Sequence, residues 1–173
     1  MRRSPSDLST EERGTLERRG PLNVLCVGDG DLSCSLAIHR AYGNNEAGST
    51  GPRIGTLIAT TLLPSREELV GTYPNAGPVV DELEAADGCS VLYGVDATQL
   101  HRNRRLELSL PFDYVLFQHP HLGLYGGDIQ SKEAAARHSS LLAHYLDSAR
   151  QLLLRRAAPR SDCFVHVCLC GSE

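Results

Sequence analysis

The amino-acid sequence predicts an α/β fold: a mainly parallel sheet of about five strands with helices on both faces. Two observations carry this. Short apolar runs alternate with longer segments of helical period, and the runs end at turn-forming residues such as Gly28, Pro64 and Asp96. Strand, helix, strand repeated in this way demands right-handed crossovers, and these cover both faces of a parallel sheet. In such sheets ligands lie outside the carboxyl ends of the strands, where the strand order reverses. The positions that matter are therefore Gly28 to Ser33, Thr60 to Ser65, Asp96 to Gln99 and Gln118 to Gly123.

Taken in order, Met1 to Gly20 is polar, charged and without periodicity, and is expected to be a disordered arm. The domain is expected to span 21–173. The strand-like runs are Leu22 to Val27, Gly55 to Leu62, Ser90 to Val95, Asp113 to Phe117 and Cys163 to Leu169. Ser65 and Glu68, just after Pro64, form a capping-box pattern, and Gly88 closes a segment running from Pro78 through Val79, Leu83 and Ala86. Between Ser131 and Ala158 a helical face repeats through Leu141, Leu142, Tyr145, Leu146, Ala149, Leu152 and Leu153, and Pro159 ends it.

At 173 residues the chain is long enough for one domain with a true core. No stretch has the ~18 uninterrupted apolar residues of a membrane span, and the N-terminus has no apolar signal core. An intracellular protein is expected. The net charge of −4 does not advertise nucleic-acid binding through the overall field. Arg102, Arg104 and Arg105 make one basic cluster, and Arg155, Arg156 and Arg160 another; both suit solvated helix ends. Six cysteines lie mostly within apolar runs and never as Cys-x-x-Cys, which points to buried free thiols. His119 and His121 lack partners at metal-ligand spacing, so no metal is expected.

The first run ends in "VGDGDLSCSLA". Gly28-x-Gly30-x-x-Ser33 permits a sharp turn and a close ligand, but the third glycine of a dinucleotide fingerprint is absent. One reading is a plain turn in which Asp31 or Ser33 caps the next helix. The other is a ligand loop, and there Asp29 and Asp31 select the ligand. A pyrophosphate beside two carboxylates with no Lys or Arg nearby is repelled, whereas a cation is attracted. S-adenosylmethionine carries an ammonium and a sulfonium and no phosphate, so it suits the loop better than NAD, FAD or ATP. Asp96, in "GVDATQL", can accept from an adenine amine or cap a turn. After the second strand, Leu62, Leu63 and Pro64 stand where a ribose-binding carboxylate is expected.

The blocks "VGDGDLSCSLA", "LIATTL" with "REELVGTYPNA", "LYGVDATQLH", "FDYVLFQHPHLG", "SLLAHYLDSARQLL" and "FVHVCLCG" follow one another from about Pro21 to the end. In order and spacing the chain resembles the 25S rRNA (uridine-N(3))-methyltransferase-like domain family. That family has a Rossmann-like class I methyltransferase fold, in some animal proteins fused to a ferredoxin-fold anticodon-binding domain. The resemblance implies an S-adenosylmethionine donor, a uridine of large-subunit rRNA as acceptor, and a nuclear or nucleolar location, with the cytoplasm as the alternative. It places the donor site on Gly28, Asp29, Gly30, Asp31 and Ser33 and on the Val95 to Thr98 block with Asp96 and Ala97, and the acceptor site on Gln118, His119, Pro120 and His121, with Gly123 beyond. Thr60, at the end of the second strand, is expected to complete the donor set.

Uridine N3 carries a proton that must leave, and a neutral histidine is a suitable base. His121 coincides with the family's histidine, Gln118 suits the uracil edge, and Pro120 stiffens the segment. Strand alternation is expected to send His119 and His121 to similar sides. The chain also departs from the family: Leu32 and Cys34 replace phenylalanines, and Gln118-His119 replaces Asn-Phe. It stops after the fifth run, where the class I fold adds a helix and two strands, so those C-terminal strands are expected to be missing. A longer product or a partner is then expected to cover the fifth strand. These departures favour an alternative, a catalytically inactive methyltransferase-like module that binds RNA or a protein.

Overall fold

In a computed structural model, residues 20–43, 52–109, 111–121, 132–155 and 163–169 are described. The N-terminal arm up to residue 19, Gly123, Arg156, Pro159, Arg160 and Cys170 lie outside them. Five parallel strands form one sheet: β1 (Leu22–Val27), β2 (Ile54–Thr60), β3 (Cys89–Leu92), β4 (Tyr114–Gln118) and β5 (Phe164–Cys168), in the order β3-β2-β1-β4-β5. The helices are α1 (Ser33–Tyr42), α2 (Arg66–Thr72), α3 (Ala76–Ala85), α4 (Arg104–Leu108) and α5 (Lys132–Leu154), with a 3-10 helix at Ala97–Arg102. This is the expected Rossmann-like α/β architecture, and the strand order reverses between β1 and β4.

Strand alternation divides the core in two. On β1, Leu22, Val24 and Cys26 face a cluster with Leu36 of α1, Leu69 of α2 and Val80 and Leu83 of α3. Leu25 and Val27 face the other way, onto Leu100, Phe112, Tyr145, Ala149 and Leu152. β1 is buried on both sides because it is central, which is why it is apolar on both faces apart from Asn23. The first face is not fully covered. A shallow apolar depression of about 260 Å³ lies over Leu22, Val24, Ile54, Tyr114 and Leu116, beside the stacked rings of Tyr114 and Phe164.

Several expectations need correction. β2 ends at Thr60 and β3 at Leu92, short of Leu62 and Val95, because the two loops bond to each other: Thr61 N–H donates to Leu92 O, and Val95 N–H to Thr61 O. Pro78 does not begin a helix; it lies inside α3, whose first residue is Ala76. On α5, Leu146 is turned outward while Ser148 is buried. Among the described cysteines only Cys26 is buried; Cys34, Cys89 and Cys163 are half-buried, and Cys168 is exposed. Burial pushes the Cys26 thiol up to about 12, so it stays protonated at neutral pH. Of the second arginine cluster, Arg155 is ion-paired with Glu107 of α4 (3.5 Å). The Ser65 side chain does cap α2, accepting from Glu68 N–H at 3.2 Å.

Candidate functional site

The turn from β1 into α1 is built from two left-handed residues, Gly28 (φ 65°) and Leu32 (φ 64°). For leucine this conformation costs on the order of 1–3 kcal/mol, and it is held by complete burial of the side chain in the α1–α3 core. Leu32 occupies the N-cap position of α1 and has no side-chain oxygen to offer. The aspartates cap the helix instead. Asp31 accepts from Ser33 N–H at 3.0 Å, and Asp29 accepts from Ser35 N–H at 2.6 Å and from the Ser35 hydroxyl at 2.7 Å. The capping reading of the turn is thus realised through Asp31 and Asp29, with the Ser33 N–H as a donor.

Asp29 is 5 % exposed. Burial holds its carboxyl above the usual carboxylate range, opposed by the Ser35 bonds, and the charge of Asp31 adds to the rise. Burial and the Asp29 charge likewise push up the thiol of Cys34, which stands as a neutral group at the helix start.

Around this turn lies a cavity of about 630 Å³, within the range of small-molecule sites. It opens at the reversal of strand order, between the ends of β1 and β4. Gly28, Asp29, Gly30, Asp31, Ser33, Asp96 and Ala97 line it on the side assigned to a donor, and Gln118, His119 and His121 on the side assigned to an acceptor. Two of the sequence-derived residues are elsewhere. The Thr60 hydroxyl is fully buried and donates to Cys26 O at 2.9 Å, tying β2 to β1, so Thr60 is part of the sheet. Pro120 is buried and does not line the cavity.

The two glycines are small for different neighbours. A Cβ on Gly28 would fall 2.3 Å from Phe117 Cε2, so packing against the core keeps that position small. A Cβ on Gly30 would lie 3.0 Å from the Tyr73 hydroxyl. Asp96 caps the 3-10 helix: Oδ1 accepts from Thr98 N–H (2.8 Å) and the Thr98 hydroxyl (2.7 Å), and Oδ2 accepts from the Gln99 amide (3.2 Å).

At the end of β4, strand alternation does not place the histidines, since the strand stops at Gln118 and His119 turns left-handed (φ 47°). Its N–H donates to Cys168 O at 2.9 Å, which fastens the turn to β5. Both histidines still line the cavity, and the His121 ring lies edge-on to His138 of α5, with centroids 5.6 Å apart. Leu62, within the expected Thr60 to Ser65 segment, also lines it, as do Tyr73 and Leu141; sequence reasoning missed the latter two, because they arrive from a loop and a helix whose approach only the tertiary fold sets. No group of three or more His, Cys, Asp or Glu residues suited to a metal ion occurs among the described residues. Among those residues no helix is long and apolar enough to cross a membrane.

A parallel sheet with an acidic cavity at the reversal of its strand order defines a doubly wound α/β domain. The chain belongs to the BMT5-like family, described as rRNA (uridine-N3-)-methyltransferase BTM5-like, whose model matches residues 25–173. It is similar to the heavy metal-associated isoprenylated plant protein 41 of Arabidopsis thaliana, with 30% identity over 130 residues, covering 75% of this chain and 23% of that protein. It is also similar to the uncharacterized protein At4g26485 of Arabidopsis thaliana, with 28% identity over 132 residues, covering 75% of this chain and 57% of the relative. The chain thus spans under two thirds of either relative. No solved structure matches it.

Proposed function

We propose that this domain binds S-adenosylmethionine in the cavity and methylates N3 of a uridine in large-subunit rRNA. One observation carries the donor assignment: three aspartates and no Lys or Arg are among the described residues lining the cavity. A phosphate-bearing cofactor would meet only like charge there, whereas a cationic ligand without phosphate is matched. When bound, that donor supplies an electrophilic methyl group. Asp29 and Asp31 would hold its positive charge, and Asp96 Oδ2 could exchange the Gln99 amide for an adenine amine.

The acceptor chemistry belongs to Gln118 and His121. Gln118 offers an amide donor and acceptor to a uracil edge. His121 takes the imide proton from N3 onto its ring, which leaves a nitrogen lone pair free to attack. Placement and exclusion of water are the rest of the protein's contribution. A large-subunit rRNA substrate would place the protein in the nucleus or nucleolus.

The deciding experiment is methylation of unmodified large-subunit rRNA, with nucleoside mass spectrometry identifying the product. 3-Methyluridine is expected, and His121→Ala is expected to lower turnover about a hundredfold or more while donor affinity stays near wild type. A different product overturns the substrate assignment, and an unchanged His121→Ala rate removes the base. Donor binding with no turnover on any rRNA would favour the binding-module alternative, consistent with the Gln118-His119 substitution.

A further inference from the structure

The donor reading leaves one part of the ligand without a partner. Ribose hydroxyls that leave water need hydrogen bonds in the protein, because a buried hydroxyl left unpaired is costly. The end of β2 supplies little. The Thr61 hydroxyl is buried and accepts from Leu63 N–H at 3.3 Å, and Leu62, 67 % exposed, offers only an apolar side chain.

A different segment reaches the same side of the cavity. Tyr73 follows α2 at its C-cap, with its N–H donating to Leu69 O (2.8 Å) and its carbonyl accepting from Ala76 N–H (2.9 Å). These two bonds fix its backbone between α2 and α3. The ring reaches over the glycine turn: the phenol oxygen lies 3.0 Å, and Cζ 3.2 Å, from where a Cβ on Gly30 would be. Gly30 therefore leaves a slot that Tyr73 fills. Tyr73 is 39 % exposed and lines the cavity with Asp31 and Leu62.

Resting on the S-adenosylmethionine reading, we infer that Tyr73 is a donor-site residue whose phenol hydroxyl hydrogen-bonds the ribose hydroxyls, in place of a carboxylate after β2. A phenol both donates and accepts, so it can serve a sugar diol, whereas a carboxylate only accepts. Its ring forms the cavity wall over Gly30.

The test is a binding cycle by calorimetry on the full chain, with S-adenosylhomocysteine and its 2′,3′-dideoxy analogue as ligands, and wild type, Tyr73→Phe and Tyr73→Ala as proteins. Tyr73→Phe should melt like wild type, bind S-adenosylhomocysteine about tenfold more weakly, and bind the dideoxy analogue within about twofold of wild type. Tyr73→Ala should lose more for both ligands, since it removes the wall as well. If Tyr73→Phe binds S-adenosylhomocysteine as wild type does, or loses the same factor for both ligands, the ribose role is overturned while the donor site stands. If wild type binds neither ligand, the donor reading itself fails, and this inference with it.

Discussion

Gly28 and Gly30 are indistinguishable in the sequence, and their surroundings separate them. Alanine at 28 would have to hold a positive φ and displace Phe117, so Gly28→Ala should lower the urea midpoint by the equivalent of about 2–4 kcal/mol. Gly30→Ala should cost under about 1 kcal/mol of stability yet weaken S-adenosylhomocysteine binding, because Tyr73 must give way; the reverse ranking in paired melts and titrations would contradict this. Asp29 was legible as a chemically important carboxylate, but not as a cap for Ser35, since that bond depends on Leu32 being left-handed and on the turn closing over it. Because burial raises its native carboxyl above the unfolded value, the folded state binds the proton more tightly. Stability is then greatest below about pH 4 as far as this group is concerned, and declines as pH rises through the raised native value. Asp29→Asn removes that slope. Urea titrations from pH 4 to 7 should show the difference between variant and wild type moving in the variant's favour as pH rises, whereas binding of the cationic donor should weaken.

At the scale of elements, the existence of the five strands was readable because each is a short apolar run bounded by turn residues. Strand ends were not, because the loops after β2 and β3 bond to each other through Thr61, Leu92 and Val95, and such pairing has no local signature. The long helix shows the same limit. Periodicity found its apolar face, but the partner decided the centre of that face, bringing Ser148 inward and leaving Leu146 45 % exposed. The partner is the 3-10 helix, whose Leu100 N–H donates to the Ser148 hydroxyl at 2.7 Å. Ser148→Ala keeps the volume and removes the acceptor, so it should destabilise the domain by about 1–3 kcal/mol, measured by urea unfolding. A loss below ~0.5 kcal/mol would mean that the helix shifts to let Leu100 find another partner. The helix that follows Asp96 would feel this first, so hydrogen exchange should rise at Leu100 before it rises in β1.

For the whole molecule, the cavity gathers residues from the ends of four strands, and a ligand bound there must hold several elements together. At a hundred times its dissociation constant, S-adenosylhomocysteine should add about 2.7 kcal/mol and raise the melting temperature by roughly 5–10 °C. NAD at equal concentration should leave it unchanged, and a shift with NAD would contradict the reading of the acidic lining. The parallel α/β class was legible from the alternation of strands and helices alone, whereas the order of the strands in the sheet was not. The acceptor side was less so, since the left-handed His119 and its bond to Cys168 join residues far apart in sequence. The central position of β1 carries a consequence for synthesis on the ribosome. β1 is made first, yet Asn23 N–H bonds to the Asp113 carboxylate 90 residues later, and β4 covers the open edge of β1 only then. At ~5–20 residues per second the most apolar strand of the sheet waits roughly 5 to 20 s for its second neighbour. The nascent chain therefore carries its greatest aggregation hazard before β4 has left the exit tunnel, and chaperone demand during translation is set by β1.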